Sequence, residues 1–181
     1  MKRVVLAMVS SLLVACTEEP VAPVQPAEVF RDTAAQIASQ TDVTAARMAG
    51  EWAIRQRFAA PRTPRSGMSL SALPNEALQL TVIGGDCIDD VCFEEETLIL
   101  LEKTGPGRWT AQGPQTALPE GEFWVMWMEF DSRTAAIGAP SGEFGWIMDK
   151  NITGGGDRIT AARDIMDWFG YNVSRLEEVN R

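Results

Sequence analysis

The sequence contains no histidine. That removes the commonest general base and the commonest zinc ligand. Cysteine is nearly as scarce, with Cys16, Cys87 and Cys92 the full complement. No Ser-His or Cys-His arrangement can therefore be assembled. Positive charge is in the minority, 16 Lys and Arg against 25 Asp and Glu, for a formal net charge of −9. Nucleic acid and anionic headgroups both require a basic footprint, so neither is expected as a partner. Beyond the first residues no stretch is long and apolar enough to span a bilayer. An acid–base enzyme built on carboxylates alone is the catalytic option left, and no constellation supports it. The acidic run Asp86, Asp89, Asp90 and Glu94 to Glu96 lacks the spacing of an EF-hand loop and reads as a solvated hairpin. No enzyme, no cofactor and no metal site is expected.

What is present begins at the N-terminus. Lys2 and Arg3 form a short positive region, and Val4 to Val14 is apolar apart from Ser10 and Ser11. The run is too short to cross a membrane and has the form of a secretory signal. It ends in Leu13-Val14-Ala15-Cys16, which matches the lipobox of bacterial lipoproteins. Residues 1–15 are therefore expected to be removed and Cys16 to be lipidated. An ordinary signal peptide with a chance cysteine is the alternative. Loss of Lys2 and Arg3 would take the formal charge from −9 to −11. An acylated cysteine anchors a protein stably without a spanning helix. Thr17, rather than an aspartate, follows it. By resemblance to proteobacterial lipoproteins, this favours the outer membrane of the cell envelope, facing the periplasm. Residues 16–41 are expected to be the lipidated cysteine and a proline-rich tether, with Pro20, Pro23 and Pro26 favouring an extended chain. One domain is expected over 42–181.

From residue 50 the pattern is mostly that of short strands. They fall at Trp52 to Phe58, Leu78 to Ile83, Val91 to Leu101, Arg108 to Gln112, Phe123 to Phe130, Thr134 to Gly138 and Phe144 to Met148. Glycine and proline turns at 84–85, 105–107 and 140–142 separate them. Many short strands at this spacing indicate a sandwich or barrel. Asp157 is a candidate cap for a helix from Arg158 to about Phe169, with Ile159, Ala162, Met166 and Phe169 on one face and Gly170 as its stop. Cys87 and Cys92 bracket a four-residue turn. A disulfide there would fix the hairpin, and a reduced pair is the alternative.

The arrangement resembles the lipocalins, and within them the bacterial outer-membrane lipocalins that are themselves lipoproteins. Gly50-Glu51-Trp52 looks like the family's Gly-x-Trp opening of the first strand. Phe130-Asp131, then Arg133, resembles the second motif, at the turn between the sixth and seventh strands. Phe144 to Lys150, the helix and Gly170 to Ser174 resemble the last strand and flanking helix. The resemblance implies a mostly β fold, an antiparallel up-and-down barrel with one C-terminal helix outside. It also implies structural roles for Gly50, Trp52, Asp131, Arg133 and Lys150. Lys150 stands where the family usually has an arginine stacked on the first-motif tryptophan. A lysine offers a cation without the planar surface, so a less tightly closed base is expected. The stretch from Trp52 to Lys150 is short for eight strands, so one strand is expected to be very short or missing.

An eight-stranded barrel holds one small ligand, with inward and outward residues alternating. Along 123–130, Glu129 in water would point Trp124, Met126, Met128 and Phe130 inward. The opposite parity would place Trp127 inside and bury Glu129, which is costly. Leu78, Leu80, Val82, Phe144, Trp146, Leu98 and Leu100 are further lining candidates. A membrane-anchored protein that binds or carries a small hydrophobic molecule, of fatty acid or lysophospholipid class, follows from a cavity so lined. The alternative is a structural or interaction lipoprotein whose barrel is filled by its own side chains.

Overall fold

A computed structural model describes residues 27–60, 64, 66–84, 87–88, 91–92, 95–112 and 121–179, with side chains omitted over 83–96. In chain order the strands are β1 (Gly50–Arg57), β2 (Gly67–Ala72), β3 (Leu78–Gly84), β4 (Cys87–Ile88), β5 (Val91–Cys92), β6 (Glu95–Gly105), β7 (Arg108–Gln112), β8 (Glu122–Met128), β9 (Thr134–Gly138), β10 (Gly145–Asp149) and β11 (Glu177–Glu178). Among the described residues, β1, β2, β3 and β6 to β10 pair antiparallel in succession, and β10 pairs back onto β1. The eight-stranded barrel is thus closed, which removes every sheet edge within it. β11 adds to the upper part of β1, and β4 and β5 form a separate two-stranded ribbon.

The barrel is complete despite its short sequence because 67–72 supplies a strand that the sequence reading assigns to no element. Only Met68 and Leu70 alternate there, among small and polar residues, and the signal is too weak to read. Pairing with β1 and β3 on both sides makes the strand. β3 follows the expected alternation, with Leu78, Leu80 and Val82 buried and Gln79 exposed.

The loops divide the barrel into two ends. The β2–β3, β6–β7 and β8–β9 connections lie at the base; β1, β3, β7 and β9 end at the opposite end, the mouth. A short helix, α1 (Ala45–Met48), closes the base. Thr44 caps it by accepting the Arg47 N–H, and Met48 is fully buried. The second helix, α2 (Gly156–Trp168), packs on the outside against β8, β9 and β10. Its buried stripe is Ile159, Ala162 and Met166, with Phe169 half-buried just beyond. Gly155, in the left-handed region at φ 70°, takes the capping position, so Asp157 lies in the first turn instead. Gly170, at φ 86°, ends the helix as its lack of a Cβ allows.

Residues 27–41, assigned to the tether by sequence, belong to the folded unit from Phe30 on. Phe30 and Arg31 are buried. Phe30 stacks on Phe58 at 4.8 Å, and Phe58 on Tyr171 at 5.5 Å. Arg31 donates to the carbonyls of Phe169, Pro140 and Ala35. Phe30 N–H donates to Gly142 O in the β9–β10 loop, so the chain joins the barrel at its mouth end. Cys16 and the prolines of the tether lie outside the described residues.

Candidate ligand site in the barrel

The inner face is built from alternate residues of each strand, but two bulges decide which ones. In β8 the register with β9 shifts between Val125 and Trp127, so Met126 is the extra residue. Phe123 and Val125 face inward before it, and Met128, opposite inward Ala135, faces inward after it. In β1 the shift falls between Ile54 and Gln56. Trp52 and Ile54 point inward before it, and Arg57, opposite Trp146, after it.

An aromatic column runs through the interior from mouth to base. Phe144 stacks on Trp146 at 5.3 Å; Trp146 lies 6.0 Å from Phe123, and Phe123 meets Trp109 edge-on at 6.3 Å. Lys103 Nζ ends it, 5.0 Å over the Trp109 ring. All four rings have no accessible surface. A side chain without accessible surface borders no space that admits water, so side chains fill the barrel along this column. The inner wall of β3, β6 and β7 toward the mouth differs. Val82, Ile99 and Ala111 keep some exposure, and Thr97 is half-buried.

The two buried tryptophans of the column are not equivalent. Trp109 donates from Nε1 to Glu76 O at 2.8 Å. Trp146, fully buried nearer the mouth, has no acceptor for its indole N–H among the described residues. An unsatisfied buried donor costs roughly 1–3 kcal/mol. Across the β1–β10 pair on the same face is Arg57, half-buried and without a side-chain hydrogen bond or ion pair to the described residues. Neither Arg57 nor Phe123 is marked by sequence as a lining residue; period-two counting from Trp52 and from Glu129 places both outward.

The expected lining residues are divided by the structure. Leu80, Trp146 and Met128 face inward and are buried. Met126 does not; from the bulge it reaches the outer side, where a Cβ on Gly138 would stand 2.9 Å from its Cε. Trp124 also lies outside, half-buried, with the Arg108 guanidinium 4.7 Å over its ring. Phe130 is 91% exposed, in the turn beyond β8. The single alternation expected over 123–130 fails because one extra residue reverses side-chain parity. Leu98 and Leu100 also point outward, since Ile99 and Leu101 take the inner face. An open groove of about 270 Å³ lies outside the barrel, lined by residues including Ala53, Arg55, Ile152 and Val179. Cys87 and Cys92 are directly opposed in the β4–β5 ribbon, their side chains outside the described set.

The motif residues gather at the base. Gly50, at φ 114°, lies under Lys150; a Cβ there would come within 2.9 Å of the ammonium. Lys150 Nζ lies 4.6 Å over the Trp52 ring and donates to Ala49 O at 2.5 Å. Burial depresses its pKa. Trp52 Nε1 donates to Met48 O at 2.7 Å. The looser base expected from lysine is therefore not observed. Arg133 bonds Glu129 with two nitrogens and pairs with Asp131 at 3.1 Å. The Arg133 side chain, and then the N–H groups of Arg133 and Asp131, outweigh burial and bring the Glu129 pKa down to about 2. Arg47 of α1 donates to Ser132 Oγ and to the carbonyls of Glu129 and Phe130, tying the helix to this turn. Beneath α2, Asp149 accepts from Thr134, Asn151 N–H and Arg158. Burial alone would raise its pKa, and these bonds together hold it below the ordinary value.

No family model matches this chain, and no curated protein is similar to it in sequence. Among solved structures, the major allergen Per a 4 from cockroaches has a similar fold, with a TM-score of 0.59 at 9% identity. The match covers 82% of this chain and 96% of that one. The fold is lipocalin-like. At that identity the likeness shows the fold alone, and the lipocalin-like barrel leaves the choice of ligand to its own inner residues.

Proposed function

We propose that this chain is a lipid-anchored lipocalin-like protein of the bacterial envelope that binds a small hydrophobic molecule of fatty acid or lysophospholipid class at the mouth of its barrel. The observation that carries the reading is the fully buried Trp146 indole N–H, which has no acceptor among the described residues. A ligand that displaced the side chains enclosing the indole would supply one, with its apolar part against Val82, Thr97, Ile99 and Ala111. The lipobox at Cys16 supports the anchor and an outer-membrane, periplasm-facing location, much as in bacterial lipoprotein lipocalins. Because the chain joins the fold at the mouth end, beside Gly142, an anchor there would turn the mouth toward the lipid source. The opposed backbones of Cys87 and Cys92 suit a disulfide in the oxidising envelope. A binding role, not catalysis, fits a chain with no histidine.

Native mass spectrometry of the chain from Thr17 on, incubated with palmitate or a lysophospholipid, tests the binding role. A one-to-one adduct is expected. A mass that stays clean would sink it and favour a second reading, an interaction lipoprotein with a filled barrel, which the sealed aromatic column supports. For the anchor, Cys16→Ser is expected to release the protein from the membrane fraction; unchanged membrane retention would overturn it.

A further inference from the structure

Resting on the reading that the barrel takes a ligand, we infer that Arg57 and Trp146 together recognise an anionic oxygen headgroup. The preferred ligand is then a single-chain amphiphile ending in a carboxylate or a phosphate monoester. Three observations converge. The bulge in β1 brings Arg57 to the inner face directly opposite Trp146. Side chains so paired have Cβ atoms roughly 4.5–5.5 Å apart, close enough to share one group. Trp146 contributes an N–H donor without an acceptor among the described residues, enclosed by side chains that a ligand would displace. Arg57 contributes a guanidinium with no ion pair among the described residues, in a chain whose acidic residues outnumber its basic ones by 25 to 16. Glu177 of β11 also stands opposite Arg57, yet no ion pair joins them.

A half-buried guanidinium loses hydration that an anion's charge-assisted hydrogen bonds would offset. The pair is on the β1–β10 side of the barrel, across from the inner wall of β3, β6 and β7. A head held by Arg57 and Trp146 therefore leaves its chain directed at Val82, Ile99 and Ala111. The base repeats the chemistry with a different outcome. There Arg47, Lys103, Arg133 and Lys150 have acceptors in the protein, while Arg108, stacked on Trp124 outside the barrel, keeps a buried Nε without one among the described residues.

The test is a tryptophan-fluorescence titration of the chain from Thr17 on, which keeps every described element. The probes are palmitate, palmitoyl lysophosphatidate and methyl palmitate. Both anions are expected to bind at least about tenfold tighter than the neutral ester, the scale of one charge-assisted contact. The tighter of the two names the source of the headgroup. Arg57→Gln is expected to abolish that preference by weakening both anions more than the ester, and Arg57→Lys to restore part of it. Trp146→Phe keeps a ring and removes the donor, and is expected to weaken both anions severalfold. If wild-type protein binds ester and anions equally, or Arg57→Gln weakens all three alike, headgroup recognition is overturned while ligand binding stands. If none of the three binds, the reading beneath it fails as well.

Discussion

The two ends of this barrel are built on opposite principles. At the base the inward polar side chains have partners in the protein: Trp52 and Trp109 donate to carbonyls, Lys150 to Ala49, and Arg47 and Arg133 lock the β8–β9 turn; the exception, the buried Arg108 Nε, lies outside the barrel against Trp124. At the mouth Trp146 has a donor and Arg57 a charge without a partner among the described residues. A satisfied polar group contributes to one folded state; an unsatisfied one costs stability and is available to something else. The difference separates a closed end, where stability is concentrated, from an end left free to bind.

The largest expected effect is at the base. Trp52→Ala removes a buried ring, its hydrogen bond and the surface beneath Lys150, and is expected to cost about 3–5 kcal/mol in urea denaturation. A loss under about 1 kcal/mol would mean that the base does not carry the stability assigned to it. Next is the outer buttress. Asp149→Ala strands Arg158 under α2 and is expected to cost about 3 kcal/mol. Hydrogen exchange over 156–168 should rise first, and uniform exchange across the barrel would contradict that picture.

Two buried tryptophans give the direct comparison. Trp109→Phe gives up the bond to Glu76 O and is expected to destabilise by about 1–2 kcal/mol. Trp146→Phe removes a donor that has no acceptor, so its cost is expected to be smaller than that of Trp109→Phe, close to zero. Equal losses in thermal melts would erase the distinction between base and mouth.

The smallest effect concerns acid. Glu129 has its folded pKa lowered from 4.5 to about 2, so its contribution is present above about pH 4.5 and is lost as the pH falls toward 2. With Arg133 nearly half exposed, solvent screening limits this to roughly 1 kcal/mol. Glu129→Gln is expected to flatten the stability profile between pH 4.5 and 2 relative to the parent. An unchanged slope would remove Glu129 from the base network.

Much of the fold was legible because its signals are local. β7 and β9 fall where turns and apolar content place them, and α2 begins two residues before its expected start. Gly50, Trp52 and Lys150 meet at the base as the family resemblance implies. The candidate site was less legible. Leu80 and Trp146 are inward, whereas Trp124, Met126 and Phe130 are not, and Arg57 carried no sequence signal at all. Period-two reasoning holds only while the register is unbroken, and a bulge leaves no fixed mark in composition.

Local chemistry therefore settled where most segments extend and turn, and that an amphipathic helix follows the last barrel strand. Three matters waited for the tertiary structure: that weakly patterned 67–72 becomes a strand, that eight strands close, and that bulges at Arg55 and Met126 reverse which faces look inward. All three depend on pairing between segments far apart in the chain, and hydrogen-bond partners across a barrel are chosen by closure of the whole sheet, not by any one strand's residues.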